Sequence, residues 1–581
     1  MRVTTDEGGA GGGTVGFDPK WLASPPTRTR DHSRTRIVLT MIAFLLIYAV
    51  IAGRLIMLGF EDTAPINYAL GAEAAISAAR PDLVDRNGEL LATDIRTASL
   101  YAEPRRILDV DEAAEAIHSV MPELSVGWLR DRLDGDAGFV WLQREITPRQ
   151  QDAIHRLGIP GVGFLTENQR FYPGGPVASH IVGHVNVDNQ GIAGIEKYVD
   201  DLWLGDLQQF GFAAGTGADL EAVALSIDLR VQHILRDELV VAVERYQAVA
   251  AAGIVIDIHT GEVIAMSSIP DYDPNQPAQA LEPDRLNRMA AGVYELGSVF
   301  KAITVAMGLD SGLVSINDYF DASVPIYAGG FTIGDYHGQN RPLTVPEVFV
   351  YSSNIGAARM AMTVGAEGQQ EFLNRLGLTT RLHTELPESA RPLYPERWGD
   401  LTTMTVAFGH GVSTTPLNLA AAAAALMNGG NLIPPTFLPR SEAEAAELAV
   451  RVVSAETSQM MRYMFRLNGV EGTGRRADVP GYLVGGKTGT AEKIVDGRYS
   501  SEVVFNSFLA AFPMDDPQYV VLVIVDEPHA LPGEGRTAAY NAGPVVANVV
   551  RRSATMLGVQ PRFEAFEYAL LESYRTATNG R

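Results

Sequence analysis

A bracket of strand-like stretches around a long helical stretch limits the fold more than any other feature. Gly253-Ile254-Val255-Ile256-Asp257 and Glu262-Val263-Ile264-Ala265-Met266 flank His259-Thr260-Gly261 and read as a β-hairpin. Far downstream come three more strand-like stretches, Tyr482–Ala491, Phe505–Phe512 and Tyr519–Val525, with Asp496-Gly497 as a hairpin turn between the first two. The patterns between are helical: the apolar run Ala302 to Met307, then Ala-rich segments near 355–364 and 417–427. Strands from both ends with helices between predict an antiparallel sheet packed against a helical region, an α+β fold. A long helix-like segment, opened by Leu225-Ser226-Ile227-Asp228 and ending near Gln247, precedes the hairpin. It sets the start of this domain at 223.

Residues 58–222 form a separate mixed α/β segment of short elements and turns. Asp85-Arg86-Asn87-Gly88 reads as a hairpin turn, because Asn-Gly favours the positive φ such turns need. Arg170-Phe171-Tyr172-Pro173-Gly174-Gly175 is another turn cluster. His180 and His184, separated by Ile181, Val182 and Gly183, raise the question of a metal. The intervening residues suggest a strand, which would hold the two about 13 Å apart. One ion cannot bridge that distance, so both read as structural.

Ahead of this segment, residues 1–36 are rich in Gly, Thr and Pro, and read as a flexible tail. Ile37 to Gly53 is an uncharged run of 17 residues; Arg54 interrupts it and Leu55-Ile56-Met57-Leu58 continues it. A spanning helix needs about 20 apolar residues, and arginine near its end can snorkel to the interface. The reading is a transmembrane helix over 37–57. Four arginines between Thr27 and Arg36 precede it, and Glu61 and Asp62 follow. The positive-inside rule therefore makes 1–36 cytoplasmic and puts the large remainder across the membrane. A cleavable signal peptide is the competing reading, with Val50-Ile51-Ala52 as its cleavage site. The length of the tail favours an uncleaved anchor. Residues 560–581 form a C-terminal tail.

Composition excludes some chemistry. No cysteine occurs in the chain, so disulfides, thiolate metal sites and cysteine nucleophiles are excluded. The net charge of −23 argues against nucleic acid as a partner.

Three motifs carry the chemistry. Ser298-Val299-Phe300-Lys301 opens the first apolar helical run. Residues i and i+3 share a helix face, so hydroxyl and amine can touch. Serine needs an adjacent base, and a lysine serves if burial and neighbouring charge depress its pKa. Gly297 permits a sharp turn before the helix, whose N-terminus favours a developing oxyanion. Ser352-Ser353-Asn354 precedes the second helical run. A second hydroxyl can pass a proton to a leaving amine, and the asparagine amide can hold a substrate amide. Lys487-Thr488-Gly489-Thr490 lies on a predicted strand, where a lysine and threonine hydroxyls could grip a carboxylate while a substrate backbone adds as a strand. Each motif alone also fits a capped helix or an ordinary strand. Gly481 through Thr488 (GYLVGGKT) also fits the phosphate-binding loop. That loop needs a buried strand before it and a helix after it, whereas Arg475 to Pro480 reads as no strand and Ala491 to Gly497 reads as a hairpin.

S-x-x-K, S-x-N and K-T-G in this order resemble the superfamily of penicillin-binding transpeptidases and serine β-lactamases. The flanking residues resemble those of a class B penicillin-binding protein of the cell-division (septal, FtsI-type) branch. They are Tyr294-Glu295-Leu296-Gly297, Phe408-Gly409-His410-Gly411, Thr415-Pro416-Leu417 and the run Lys487 to Lys493 (KTGTAEK). Arg80, Asp85 to Gly88 and Arg170 to Pro173 resemble motifs of the family's non-catalytic pedestal or dimerisation domain. Leu296 replaces the usual proline and Pro81 the usual glycine. The resemblance implies a peptidoglycan D,D-transpeptidase acting through an acyl-enzyme on Ser298. It assigns catalytic parts to Ser298, Lys301, Ser352, Asn354 and Lys487, and substrate binding to Thr488, Gly489 and Thr490, with Lys487, Thr488 and Thr490 on the terminal carboxylate. It implies no metal or organic cofactor. Implied partners are peptidoglycan stem peptides, β-lactams, a membrane spanned once and an FtsW-type glycosyltransferase with other division proteins. The implied location is a Gram-negative inner membrane, with the catalytic domain periplasmic. The elongation transpeptidase is the nearest alternative; a β-lactamase or penicillin sensor and a non-catalytic division scaffold are further ones.

Overall fold

In the computed structural model, the described residues are 80–201, 221–495 and 498–563, with most positions from 38 to 52. Those early positions are helical, and apolar side chains on them, Leu39, Leu45 and Tyr48 among them, are exposed. No helix among the described residues is long and apolar enough to cross a membrane. Part of the predicted 37–57 span lies outside the described residues, as do the 1–36 tail, the Asp496-Gly497 turn and most of 560–581.

The first domain is built on β1 (Leu83–Val84), β2 (Leu90–Ala102), β3 (Val140–Ile146) and β4 (Val162–Phe171). The long strand β2 pairs antiparallel with β1, β3 and β4. Three helices cover it: α1 (Val110–Val120), α2 (Val126–Leu133) and α3 (Pro148–Leu157). Each starts where a side chain takes up free N–H groups: Asp109 for α1, Ser125 for α2, and for α3 a capping box of Thr147 and Gln150 with Pro148 at the first position. Leu100, Ile117, Met121, Leu129 and Ile146 close the small core beneath them. As predicted, Asp85 to Gly88 is the turn between β1 and β2, with Asp85 Oδ1 accepting from Asn87 N and Glu89 N. In the second cluster, Arg170 and Phe171 still belong to β4, and the turn begins at Tyr172.

The strand reading of His180 to His184 is corrected. Ser179–Val182 is a short helix ending at Gly183, whose φ is +78, and His184 starts a two-residue strand. Gly183 stops the helix, which period-2 reading of Ile181-Val182 does not anticipate. Both imidazoles meet the Tyr272 ring edge-on, at 5.4 and 5.6 Å, and His180 Nε2 lies 2.8 Å from the Arg285 carbonyl.

The second domain begins with β5 (Val223–Ala224), which pairs parallel with β1, and α4 (Leu229–Tyr246). Its sheet contains β6 (Ala250–Asp257), β7 (Val263–Ile269), β8 (Gly485–Val495), β9 (Arg498–Phe512) and β10 (Tyr519–Asp526), in the order β8-β9-β10-β6-β7, all antiparallel. Thus β6 and β10, from opposite ends of the domain, pair directly, as in Val523 with Gly253. Val520 to Val525 is a continuous buried run because both faces of the sheet are covered. On one face, α4 and α9 (Ala542–Ser553) pack through Leu235, Leu239, Val546 and Val550. On the other lie α5 (Phe300–Asp310), α7 (Pro416–Met427) and α8 (Ala455–Glu471), with α6 (Asn354–Arg375) against α5. Nearly all of α5 and all of α7 are buried, which their all-round apolar sequences demand. The sheet therefore offers one free edge near these helices, β8.

The two domains are tied by specific bonds. Asp85 Oδ2 accepts from Leu229 N at 2.9 Å, and Arg86 N donates to Ile227 O at 3.0 Å, so the β1–β2 turn holds the start of α4. Beside this seam sits a buried charge cluster. Glu196, wholly buried, takes the guanidinium of Arg80 at 2.7 Å and that of Arg170 at 2.7 Å. Arg80 also pairs with Asp200, and Arg170 with Asp94 at 3.1 Å. Arg80 and Arg170 are thus joined through acids that the sequence motifs do not single out.

Candidate active site

Ser298 stands where the chain turns into α5. Gly297 has φ +61, and Gly297–Val299 forms a 3₁₀ turn that becomes α-helix at Phe300. The serine sits in the tighter turn before the predicted helix. Side chains at i and i+3 nearly eclipse there, and Lys301 Nζ lies 2.8 Å from Ser298 Oγ. The turn is pressed onto β8: a Cβ on Gly297 would lie 2.9 Å from the Thr490 carbonyl. Across that contact, a Cβ on Gly489 would fall 2.2 Å from Ser507 Oγ and 2.4 Å from the Leu296 carbonyl oxygen. Ser507 Oγ donates to that same oxygen at 2.8 Å, and Leu296 is wholly buried in place of the family's proline.

Lys301 is wholly buried. Its Nζ lies 2.7 Å from Ser352 O, 2.7 Å from Asn354 Oδ1 and 3.0 Å from Ser352 Oγ. Burial pushes the amine well below the ordinary lysine range; the Lys487 charge pushes the same way, and Asp335 opposes. A neutral amine has two N–H groups and one lone pair. The Ser352 carbonyl and the Asn354 amide oxygen can only accept, so they take the two N–H groups. The lone pair is left for the Ser298 hydroxyl proton, the arrangement of a nucleophile with its base.

Ser352 lies in the loop before α6 with φ +58, an uncommon conformation for a non-glycine residue, and its side chain bridges two lysines. Lys487 Nζ is 3.0 Å from Ser352 Oγ. Lys487 is also wholly buried, and burial lowers its pKa to about 7. Helix capping falls to the next residue: Ser353 Oγ accepts from Gly356 N at 2.9 Å, leaving Ser352 free for the site. Asn354 Nδ2 donates to Gly334 O at 2.9 Å.

The chain after Lys487 continues as strand to Val495, so GYLVGGKT lacks the helix a phosphate loop requires. Thr488 Oγ1 lies 2.8 Å from Thr473 Oγ1, and Thr490 Oγ1 accepts from Ala538 N at 3.2 Å. All of Lys487 to Thr490 belong to the edge strand, paired among the described residues only with β9, so a peptide backbone can add alongside.

The description "Penicillin binding protein transpeptidase domain" fits residues 251–551, and "Penicillin-binding Protein dimerisation domain" fits residues 75–205. A protein of Caulobacter vibrioides named "Probable peptidoglycan D,D-transpeptidase FtsI" is 41% identical, over 86% of this chain and 84% of its own length. This chain belongs to the FtsI-type class B penicillin-binding proteins. The "Probable peptidoglycan D,D-transpeptidase PenA" of Neisseria gonorrhoeae is 31% identical over 84% of this chain and 86% of its own. Among solved structures, penicillin binding protein 3 of Mycobacterium tuberculosis, complexed with aztreonam, is similar with a TM-score of 0.63 and 26% identity, covering 84% of this chain and 98% of that one.

The motif residues of this penicillin-binding protein converge, and four others border them: Glu295 and His410, which the sequence reading quoted only within flanking runs and gave no role, and Asp335 and Thr473, which it passed over. Asp335 accepts from Ser353 Oγ at 2.6 Å, Asn354 N at 2.6 Å and Ile355 N at 3.0 Å, fixing the start of α6. Its position between short strands carries no sequence signal. Glu295 accepts from Gly411 N at 2.8 Å. His410 is half-buried; burial pushes its imidazole below the ordinary range, Lys301 adds to this, and Glu295 and Glu492 oppose it. Thr473 is the fourth.

Proposed function

We propose that this protein is the septal peptidoglycan D,D-transpeptidase of its cell, working through an acyl-enzyme on Ser298. The observation that carries the reading is buried Lys301 Nζ, 2.8 Å from Ser298 Oγ and 2.7 Å from each of two oxygens that can only accept. Ser298 Oγ attacks the carbonyl of the penultimate D-alanine of a stem peptide, and its proton passes to Lys301. The N–H groups of Ser298 and Thr490 hold the oxyanion, at about 3 kcal/mol each. As the C–N bond breaks, the proton returns through Ser352, flanked by both lysines, to the departing D-alanine. Asn354 positions the donor peptide, whose backbone runs along Gly489 on β8. Lys487, Thr488 and Thr490 bind its terminal carboxylate. The amine of a second stem peptide then displaces Ser298, forming the cross-link; water in its stead would make the reaction a carboxypeptidase. A β-lactam carries the same carbonyl and carboxylate, and acylates Ser298 without a leaving group that departs.

The domain reading is 1–36 cytoplasmic, 37–57 a single membrane span, 58–222 pedestal, 223–559 transpeptidase and 560–581 tail. The matches at 75–205 and 251–551 support the two middle divisions. Exposed apolar side chains on the helical positions from 38 to 52 and the arginines before them support the anchor. The catalytic domain is then periplasmic, on an inner membrane. The pedestal carries it out from the membrane and meets an FtsW-type glycosyltransferase and other division proteins. The names of the relatives favour division over elongation. Depletion tests that choice: filaments support it, round cells overturn it. Ser298→Ala tests the nucleophile, and abolished labelling by a fluorescent penicillin is the expected result; labelling that persists refutes it.

A further inference from the structure

The Thr488 hydroxyl does not stand alone beside the site. Its Oγ1 donates to Thr473 Oγ1 at 2.8 Å. Thr473 Oγ1 in turn donates to Asn468 Oδ1 at 3.3 Å. Asn468 is wholly buried near the end of α8, and its amide is fixed at both ends: Oδ1 accepts from Thr473 N at 3.0 Å, and Nδ2 donates to Gly486 O at 2.6 Å. The anchor of this chain is therefore the backbone of the same strand that carries Lys487 and Thr488. Thr473 itself is half-buried, between the anchor and the cleft.

The chain of hydroxyls has a direction, and that direction conflicts with binding an anion. A carboxylate only accepts, so Thr488 must turn its O–H toward it and stop donating to Thr473. Its oxygen is then left as an acceptor in a nearly closed place, since Thr488 is 8% exposed. Thr473 can resolve this by turning its own O–H from Asn468 to Thr488. Asn468 Oδ1 is not orphaned by the change, because the Thr473 N–H still donates to it. Donation into Thr488 Oγ1 also makes the Thr488 proton a stronger donor, since hydrogen bonds in series polarise one another.

We propose that Thr473 is a positioning residue for carboxylate recognition: its hydroxyl reverses direction when an anionic substrate binds, and so hands the Thr488 proton to the substrate carboxylate. This rests on the reading of Thr488 as a carboxylate ligand in a site that acylates Ser298. No proton leaves the site and no bond to carbon changes; two hydroxyls rotate.

The test compares a penicillin with its methyl ester, which keeps the reactive ring and loses the anion. Second-order acylation rates are measured on the full chain for the wild type and for Thr473→Val, Thr473→Ala and Thr473→Ser. Losing the hydrogen bond between the Thr473 and Thr488 hydroxyls, two neutral groups, costs up to about tenfold in rate. The Val variant should be slower by that factor with the free acid and unchanged with the ester, and Ser should restore the wild-type rate. Ala, which inserts no methyl group against Asn468 Oδ1, gives the same comparison if the Val variant does not fold. Equal losses with acid and ester would overturn the proposal, because Thr473 would then only support the strand. An unchanged rate with the acid would also overturn it. Failure of the wild type itself to be acylated at Ser298 would instead sink the acyl-enzyme reading, a separate outcome.

Discussion

The pH dependence of acylation follows from two buried lysines that share one hydroxyl. Lys301 Nζ and Lys487 Nζ each lie 3.0 Å from Ser352 Oγ, and neither side chain reaches solvent. Two ammonium groups so placed would both lose hydration and repel each other. Burial alone takes Lys487 to about 7, whereas burial and the Lys487 charge together take Lys301 well below the ordinary lysine range against the opposing Asp335. The working form, with Lys301 neutral and Lys487 charged, therefore fills a window closed above near 7 by Lys487 and below by Lys301. The rate constant for acylation of the free enzyme should be bell-shaped across it. On the acid side, protonation of Lys301 removes the base and the rate falls with no floor. On the alkaline side only a charge-assisted bond to the carboxylate is lost, worth about 1.5 to 3 kcal/mol, so the rate drops and then levels off. In fold terms that plateau lies about 10- to 150-fold below the maximum. Quenched reactions with a fluorescent penicillin, run for short times across the pH range, read this directly. Lys487→Met should abolish the alkaline limb and leave a low, level rate there. A wild-type rate that keeps climbing through alkaline pH would refute the reasoning, because Lys301 would then still be protonated at neutral pH.

Two further expectations concern packing. Gly489→Ala puts a Cβ within 2.4 Å of the Leu296 carbonyl oxygen and closer still to Ser507 Oγ, forcing β8 off the Ser298 turn. A displacement near 1 Å costs about 100-fold in rate, so acylation should collapse by that order while the melting transition persists; a wild-type rate would show the contact to be dispensable. Glu196→Ala leaves Arg80 and Arg170 buried without the carboxylate between them, a change costing about 3 to 5 kcal/mol. Chemical denaturation should show that loss while penicillin labelling below the transition is kept, and an unchanged midpoint would contradict the role given to the cluster.

Much of this was legible in the sequence because periodicity and turn chemistry act locally. The hairpin at 250–269, the helix from Leu229 and the Asp85 to Gly88 turn all have local signals, and they form where predicted. The strand bearing K-T-G begins at Gly485 rather than Tyr482, since Tyr482 and Leu483 still belong to the turn that precedes it. Ser298, Lys301, Ser352, Asn354 and Lys487 were readable because their residue types at their spacings demand a reason. Asp335 and Thr473 were not. Each acts through backbone or hydroxyl contacts made only after distant segments meet, and an Asp or Thr in a loop has no distinguishing context. His180 was misread because a helix of four residues carries too little pattern to outweigh two β-branched neighbours.

The most direct test of the central claim is the mass of the intact protein after exposure to penicillin, followed by peptide mapping of the adduct. The account predicts a single stable penicilloyl group on the peptide that contains Ser298. An unmodified chain, or an adduct on any other residue, would contradict it.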